Sequence, residues 1–379
     1  MVEGFLLVDK EGGWTSHDVV AKCRGIFGER RIGHAGTLDP MATGLLVLGV
    51  GRATRLLRYV QDGAKQYLAR VGFGLATDTL DADGAILQRE PMDFAPEELT
   101  AVAARFVGTI SQVPPMVSAV KVGGRRLYSL AREGIEVERE SRTVVIHGID
   151  VLDVTPGPYP EAEIVVECGS GTYIRTLADD LARALGGRAH LTALRRTAVG
   201  PHHIDRAHTV EALAALDDPT TAVLGMADGL GDLGVVVVDP DTAFGVSNGV
   251  VFSASTLGAA EPGSYRIVDQ DGTLLAVYAS DGRRAKPDVV VALQSCAVLP
   301  APGMLASPWR WRWGSSMGCT SGIATYSAFC WRRRAPGDSS PRSSPSIRTR
   351  CLWWLHTLPR GCSPRSISGS NRWPLWGSS

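Results

Sequence analysis

The chain has 379 residues, 44% hydrophobic and 21% charged, and its 39 basic and 39 acidic side chains cancel. That length holds two ordinary domains and an additional segment, and the composition is that of a soluble globular protein. No apolar run is long enough to cross a bilayer, which excludes a helical membrane protein.

The zero net charge hides an asymmetry. Residues 303–379 hold eleven arginines, no lysine and one acid, Asp338, so the first 302 residues are about ten charges acidic. An enzyme acting on RNA would therefore need locally concentrated basic residues. The start, Met1-Val2-Glu3-Gly4, runs into Phe5-Leu6-Leu7-Val8 without a basic n-region, so no signal peptide is expected and the cytoplasm is the expected compartment. Cys23, Cys168 and Cys296 stand alone in the first 300 residues, which argues against disulfides and against a cysteine-based zinc site there.

In chain order, residues 4–10 read as a strand. Thr15 or Ser16 can cap a helix with Val19, Val20, Cys23, Ile26 and Phe27 at helical spacing. Residues 31–44 pack glycines, a histidine, a carboxylate and a proline before the apolar residues 45–48, the pattern of a loop with backbone conformations that glycine permits. Residues 66–74, 143–154 and 162–168 predict strands. Leu99, Val102, Ala103, Phe106 and Val107 predict a helix stopped by Gly108, and Leu177, Leu181 and Leu185 another stopped by Gly186-Gly187. Strands and helices mix without βαβ alternation, so the fold class is α+β. Near residue 230 the pattern changes to short strands separated by Asp271-Gly272 and Asp281-Gly282, a small β-rich module ending near residue 300.

Three stretches could carry chemistry. In Gly33-His34-Ala35-Gly36-Thr37-Leu38-Asp39-Pro40, Asp39 is biased away from the α region by the following proline. Taken alone, an aspartate in a loop is ordinarily a turn former. Cys168-Gly169-Ser170-Gly171-Thr172-Tyr173-Ile174-Arg175 joins a strand to a helix and puts Arg175 in the first turn, where it opposes the helix dipole and suggests a carboxylate partner. Lys65-Gln66-Tyr67 opens a strand with an aromatic that could fill the core or stack on a base. Together they supply a carboxylate, an arginine to hold it ionised, and aromatics. Gly49/Gly51 and Gly72/Gly74 do not complete a nucleotide-binding loop, and no clustered metal ligands occur.

Gly33-His34-Ala35-Gly36-Thr37-Leu38-Asp39-Pro40-Met41-Ala42-Thr43-Gly44 resembles the GHxGxLDPxATG motif of TruB-type pseudouridine synthases. The opening segment through Thr15-Ser16 is similar to theirs, with Glu11 in place of the usual proline. Lys65-Gln66-Tyr67, Thr77-Asp78-Thr79 with Asp81-Ala82-Asp83-Gly84, Gln112-Val113-Pro114-Pro115 with Ser118-Ala119-Val120-Lys121, Arg126-Leu127-Tyr128, Gly171-Thr172-Tyr173-Ile174-Arg175 and Leu194-Arg195-Arg196 follow in the family's order. The resemblance spans roughly residues 4–230. It implies a pseudouridine synthase fold with a mixed, mainly antiparallel sheet in residues 1–230 and a PUA-like RNA-binding module in 231–302. It also implies conversion of the T-loop uridine at tRNA position 55 to pseudouridine without cofactor or metal. Asp39 resembles the nucleophile, Arg175 its ionic partner, Tyr67 the aromatic stacked on the base and implicated in proton transfer, His34 the side chain inserted into the T-loop, and Tyr173 and Leu194 pocket residues. C1′ attack, C6 attack and C2′ deprotonation all remain open. The short N-terminus suits a stand-alone monomer acting on the tRNA T-arm with no guide RNA and no membrane.

Residues 303–379 contain eight of the nine tryptophans, scattered among Arg, Ser, Pro and Cys without periodicity. An RNA-binding tail is one reading. The preferred one is out-of-frame translation, because a GC-rich gene in the wrong frame gives this composition, and a shifted frame can encode segments resembling bacterial riboflavin kinase/FAD synthetases.

Overall fold

The computed structural model describes residues 2–116, the backbone of 121–122 and 125–126, residue 137 and residues 139–292. The side chains of the motif stretches 118–121 and 126–128, and the whole stretch from 303, lie outside these described residues. Residues 1–298 form one compact unit.

Fourteen strands precede residue 230 among the described residues: β1 (Gly4–Lys10), β2 (Ile32–His34), β3 (Thr43–Val50), β4 (Lys65–Phe73), β5 (Leu75–Thr77), β6 (Ile86–Arg89), β7 (Gly108–Gln112), β8 (Lys121–Val122), β9 (Arg125–Arg126), β10 (Arg142–Thr155), β11 (Glu161–Cys168), β12 (Ala189–Val199), β13 (His202–His203) and β14 (Val223–Leu224). Ten of them form one sheet with the path β14-β1-β3-β12-β4-β11-β10-β7, β2 adding to β3 and β13 to β12. Its pairings are antiparallel except between β12 and β3. The helices α1 (Ser16–Phe27), α2 (Leu57–Asp62), α3 (Pro96–Ala104) and α4 (Ile174–Ala184) accompany it. This is the α+β class that the patterning predicts, with the mixed, mainly antiparallel sheet that the family resemblance implies.

Local chemistry explains the boundaries. Thr15 caps α1, its hydroxyl accepting from the Asp18 N–H while the Asp18 carboxylate accepts from the Thr15 N–H, a reciprocal capping box. Val19, Val20 and Cys23 face the core from that helix. Two expectations are corrected. The helix predicted through Val107 ends at Ala104, because Arg105 and Phe106 turn back to Val102 and Ala103 with i→i−3 bonds of 3.0 Å and Gly108, at φ +108°, redirects the chain into β7. The loop predicted over 31–44 is shorter, since Gly33 pairs with Gly49 and both ends belong to strands.

Beyond residue 230, β15 (Gly234–Val237), β16 (Phe252–Ser253), β17 (Gly263–Val268), β18 (Leu274–Ser280) and β19 (Arg284–Val290) form a separate five-stranded sheet, the small β-rich, PUA-like module. Val236, Val246, Ile267, Ala276 and Tyr278 fill its own core. Its other face joins the main body through a shared cluster in which Phe5, Leu7 and Val47 meet Val268, Leu274 and Val289. Arg52 and Arg55 donate to the Val291 and Val290 carbonyls, and Arg58 pairs with Asp288 at 2.6 Å, closing the seam.

Gly44 opens β3 immediately after the Asp39 loop at φ +100°, and a Cβ there would lie 2.3 Å from the Arg196 carbonyl oxygen. Backbone on both sides leaves neither partner free to move. Gly44→Ala should therefore lower stability by about 3 kcal/mol, read by urea unfolding; a loss within about 0.5 kcal/mol would show that β3 and β12 separate easily.

Candidate active site

The loop that carries Asp39 is tied down from three directions. The Leu38 N–H donates to the Ser16 hydroxyl at 2.9 Å, anchoring the loop to the first turn of α1. The Gly13 N–H donates to the Pro40 carbonyl at 2.8 Å. Lys10, fully buried at the end of β1, donates its ammonium to the carbonyls of Trp14 (2.7 Å), Glu11 (2.9 Å) and Pro40 (3.2 Å). One lysine thus clamps the turn after β1 to the turn after Asp39. Burial depresses its pKa to about 8, against the opposing pull of Asp39. Glu11 itself is exposed and changes only the surface of that turn.

Arg175 is 3% exposed and reaches both sides of a carboxylate pair. Its Nη2 lies 2.9 Å from Asp39 Oδ2, and its Nη1 lies 3.3 Å from Asp81 Oδ2 and donates to the Thr79 carbonyl at 2.9 Å. Its place in the first turn of α4 is fixed through Tyr173, whose N–H donates to Gln112 Oε1 at 2.9 Å while Gln112 Nε2 donates back to the Tyr173 carbonyl at 3.2 Å. Asp81 is oriented by its own loop, accepting from the Asp83 N–H at 3.2 Å and from the Thr79 hydroxyl. Between them Leu80 sits at φ +61°, the one non-glycine residue with positive φ among the described residues. Strain of this kind persists where the surroundings over-determine the backbone; here Leu191 donates to the Leu80 carbonyl at 3.1 Å.

The Asp39 side chain keeps 38% exposure, so it opens to a substrate, yet its pKa is raised. Removal from water is the main cause; Arg175 counters it, and the Asp81 charge adds to it. The half-buried Tyr67 stands on β4 and its phenol is also pushed up, first by burial, with Arg196 opposing and Asp39 adding. Arg175 is thus in direct contact with Asp39, and Tyr67 lies near enough for the Asp39 charge to act on its phenol. Leu194, on β12, is 7% exposed and Tyr173 is half-buried at the cap of α4. His34 ends β2, half-buried, with the exposed His17 ring packed edge-on at 5.3 Å; burial, then His17, lowers its pKa.

Sequence reasoning assigned no role to Asp81, Lys10 or Arg196. Each stands within a recognised motif, but no motif tells which partner a side chain meets across the fold.

The comparisons agree with this geometry. Residues 24–174 match the family described as TruB family pseudouridylate synthase (N terminal domain), and residues 175–222 the tRNA pseudouridylate synthase B C-terminal domain. Proteins named tRNA pseudouridine synthase B are 46% identical over 296 residues in Nocardia farcinica (76% of this chain, 93% of that one) and 51% identical over 221 residues in Thermobifida fusca (57% and 75%). Among solved structures, a Cbf5-Nop10-Gar1 complex matches with TM-score 0.60 at 25% identity, covering 76% of this chain and 84% of that one. The archaeal box H/ACA sRNP Nop10-Cbf5 complex matches in fold, with TM-score 0.57 at 22% identity over 76% and 84%. The fold and the site define a pseudouridine synthase. The chain belongs to the TruB family of these enzymes.

A raised carboxylate pKa has a fixed sign in stability. Between the ordinary aspartate value and the raised one, the folded state holds the extra proton, so stability falls as pH rises through that window. Above it, the ionised Asp39 costs stability that an amide does not. Asp39→Asn should melt at or above the parent temperature at pH 7, with the difference vanishing near pH 3 to 4. Melting curves across that range check this, and a clear loss of stability at pH 7 alone would mean the ion pair with Arg175 outweighs the desolvation.

Proposed function

We propose that this enzyme isomerises the uridine at position 55 in the T-loop of tRNA to pseudouridine, with Asp39 as the catalytic carboxylate. The observation that carries the reading is the Asp39–Arg175–Asp81 array: a partly open carboxylate whose charge burial opposes and Arg175 favours, with Arg175 itself also held by Asp81. Relatives named tRNA pseudouridine synthase B, alike over 93% of one such chain, support tRNA as substrate.

A uridine within a folded loop must leave the stack before it can react. His34, at the rim, is placed to fill the vacancy, and Tyr67, with Leu194 and Tyr173, to receive the flipped base. Asp39 supplies an electron pair to the ribosyl–uracil unit. The C1′–N1 bond breaks, the enclosed uracil turns, the C1′–C5 bond forms, C5 gives up its proton and N1 takes one. The product is an isomer, so no cofactor is consumed. Tyr67, raised above its ordinary value, enters as a neutral phenol able to donate a proton. Arg175 holds Asp39 ionised and aimed.

The same reading assigns residues 1–230 to catalysis and 231–302 to RNA binding. It makes the enzyme a stand-alone, guide-free monomer of the cytoplasm. Among the described residues no helix is long and apolar enough to cross a membrane. The reading also takes residues 303–379 as an out-of-frame addition; an alignment over 93% of the Nocardia relative uses only 76% of this chain, as an added segment would require. The nucleotide sequence around codon 303 tests that: no recognisable product in a shifted frame would overturn it.

Asp39→Asn should reduce tritium release from C5-labelled uridine in a tRNA transcript by at least about 10³-fold, with the Kd for tRNA within about threefold, because shape and phosphate contacts remain. A T-arm hairpin should serve as substrate. Retained turnover in Asp39→Asn would remove this carboxylate from the mechanism.

A further inference from the structure

His34 closes β2, a strand of three residues, where its backbone pairs with Leu48 of β3. That pairing fixes the start of the side chain and leaves the ring its rotation about χ1 and χ2. The His34 Nδ1 is buried and has no hydrogen-bond partner among the described residues. A hydrogen bond at that nitrogen is the ordinary means of orienting an imidazole, so the direction of this ring depends on packing.

Helix α1 supplies the packing. His17 stands exposed in its first turn, with its ring centroid 5.3 Å from that of His34 and the two planes at 82°. The preceding residue, Ser16, is buried, and its hydroxyl accepts from the Leu38 N–H and donates to the Leu38 carbonyl at 3.2 Å. In the last turn, Arg24 donates to the Ile32 carbonyl at 2.9 Å, so the helix is braced against β2 at both ends. A histidine gains nothing from its own helix here, because the first turn favours acids and Asp18 already completes the cap. Its ring serves instead as an edge-on support for His34.

We propose that His17 is a positioning residue for the isomerisation: its ring, edge-on against His34, holds the His34 ring at the rim in the orientation that enters the T-loop. This rests on the reading of His34 given above, as the side chain that fills the vacancy left by the flipped base. Ser16 and His17 are adjacent, so a single turn of α1 sets the nucleophile loop and the rim ring in fixed relation. Filling the gap opposes return of the flipped base to the stack, and the fixed relation couples that filling to the place of Asp39. Burial, and after it His17, lowers the His34 pKa, so the ring offered to the loop is the neutral imidazole, which enters a stack with no charge to desolvate.

The test compares His17→Ala and His17→Phe in the full chain, each with and without His34→Ala, by tritium release from a C5-labelled tRNA transcript. His17 is exposed, so neither change burdens folding. The held ring serves the bound state and the transition state alike, so His17→Ala should raise KM about 3- to 10-fold with kcat within about twofold. His17→Phe keeps a ring edge without a hydrogen-bonding nitrogen and should bring KM back to within about twofold of the parent. In the His34→Ala background, His17→Ala should change KM less than about twofold. Equal losses in both backgrounds, or His17→Phe as impaired as His17→Ala, would overturn the proposal; the latter would make His17 a polar contact to the RNA in its own right. If His34→Ala is impaired while His17→Ala is not, the proposal alone falls. If His34→Ala turns over tRNA as the parent does, the reading of His34 falls and the proposal with it.

Discussion

The charged cluster of the main body turns on one electrostatic constraint: the Asp39 carboxylate is held in a place that takes it out of water. Arg175 meets that constraint by standing between Asp39 and Asp81, almost fully buried, with its two terminal nitrogens on different carboxylates. A single carboxylate would neutralise the arginine and leave it no preferred direction. The second one, held by its own strained loop, fixes the guanidinium from behind, so that the face toward Asp39 is set before substrate arrives. The same second charge adds to the rise in the Asp39 pKa, so orientation is gained at some expense of ionisation.

The sheet topology makes this juxtaposition possible. β12 lies between β3 and β4, parallel to one and antiparallel to the other. The loop before β3 carries Asp39, β4 carries Tyr67, and α4, leading into β12, carries Arg175. Chain segments more than a hundred residues apart thereby meet at one end of three adjacent strands. The close approach of Gly44 to the Arg196 backbone belongs to the same junction, because any side chain at Gly44 would push the Asp39 loop off β12.

Much of this was legible in the sequence, and the remainder was hidden for identifiable reasons. Strand and helix patterning located β1, α1, β4, β10, β11 and α4 within a residue or two, because each carries a run or period of apolar residues that the fold buries. Asp39 and Arg175 were singled out by the family motifs around them, since alone an aspartate in a loop reads as a turn former and a first-turn arginine as a surface residue. Lys10 and Arg196 gave no such signal. Their partners are backbone carbonyls, and a carbonyl carries no residue identity, so no spacing of side-chain types could announce them. Asp81 lay in an acidic, turn-forming stretch whose ordinary reading is a solvated loop; only the register between β4, β12 and the loop after β5 places it on Arg175.

The charges of the site also bear on how its stability is distributed. Asp39 has a raised pKa and Lys10 one depressed to about 8, so burial favours the neutral form of both. Lys10 is still charged near neutral pH, and by linkage the charged form of either group is carried at the expense of folding free energy. The two trends have opposite signs with pH: ionisation of Asp39 lowers stability on the acid side, whereas deprotonation of Lys10 relieves a penalty only between about pH 8 and the ordinary lysine range. The compensation lies in the uncharged core beneath, where Leu6, Val8, Leu46, Leu48, Ala69 and Val71 are all at most 1% exposed. β1, which ends in Lys10, and β3, into which the Asp39 loop leads, are almost wholly buried, so a cluster that disfavours its own charges is mounted on strands with little surface left to expose.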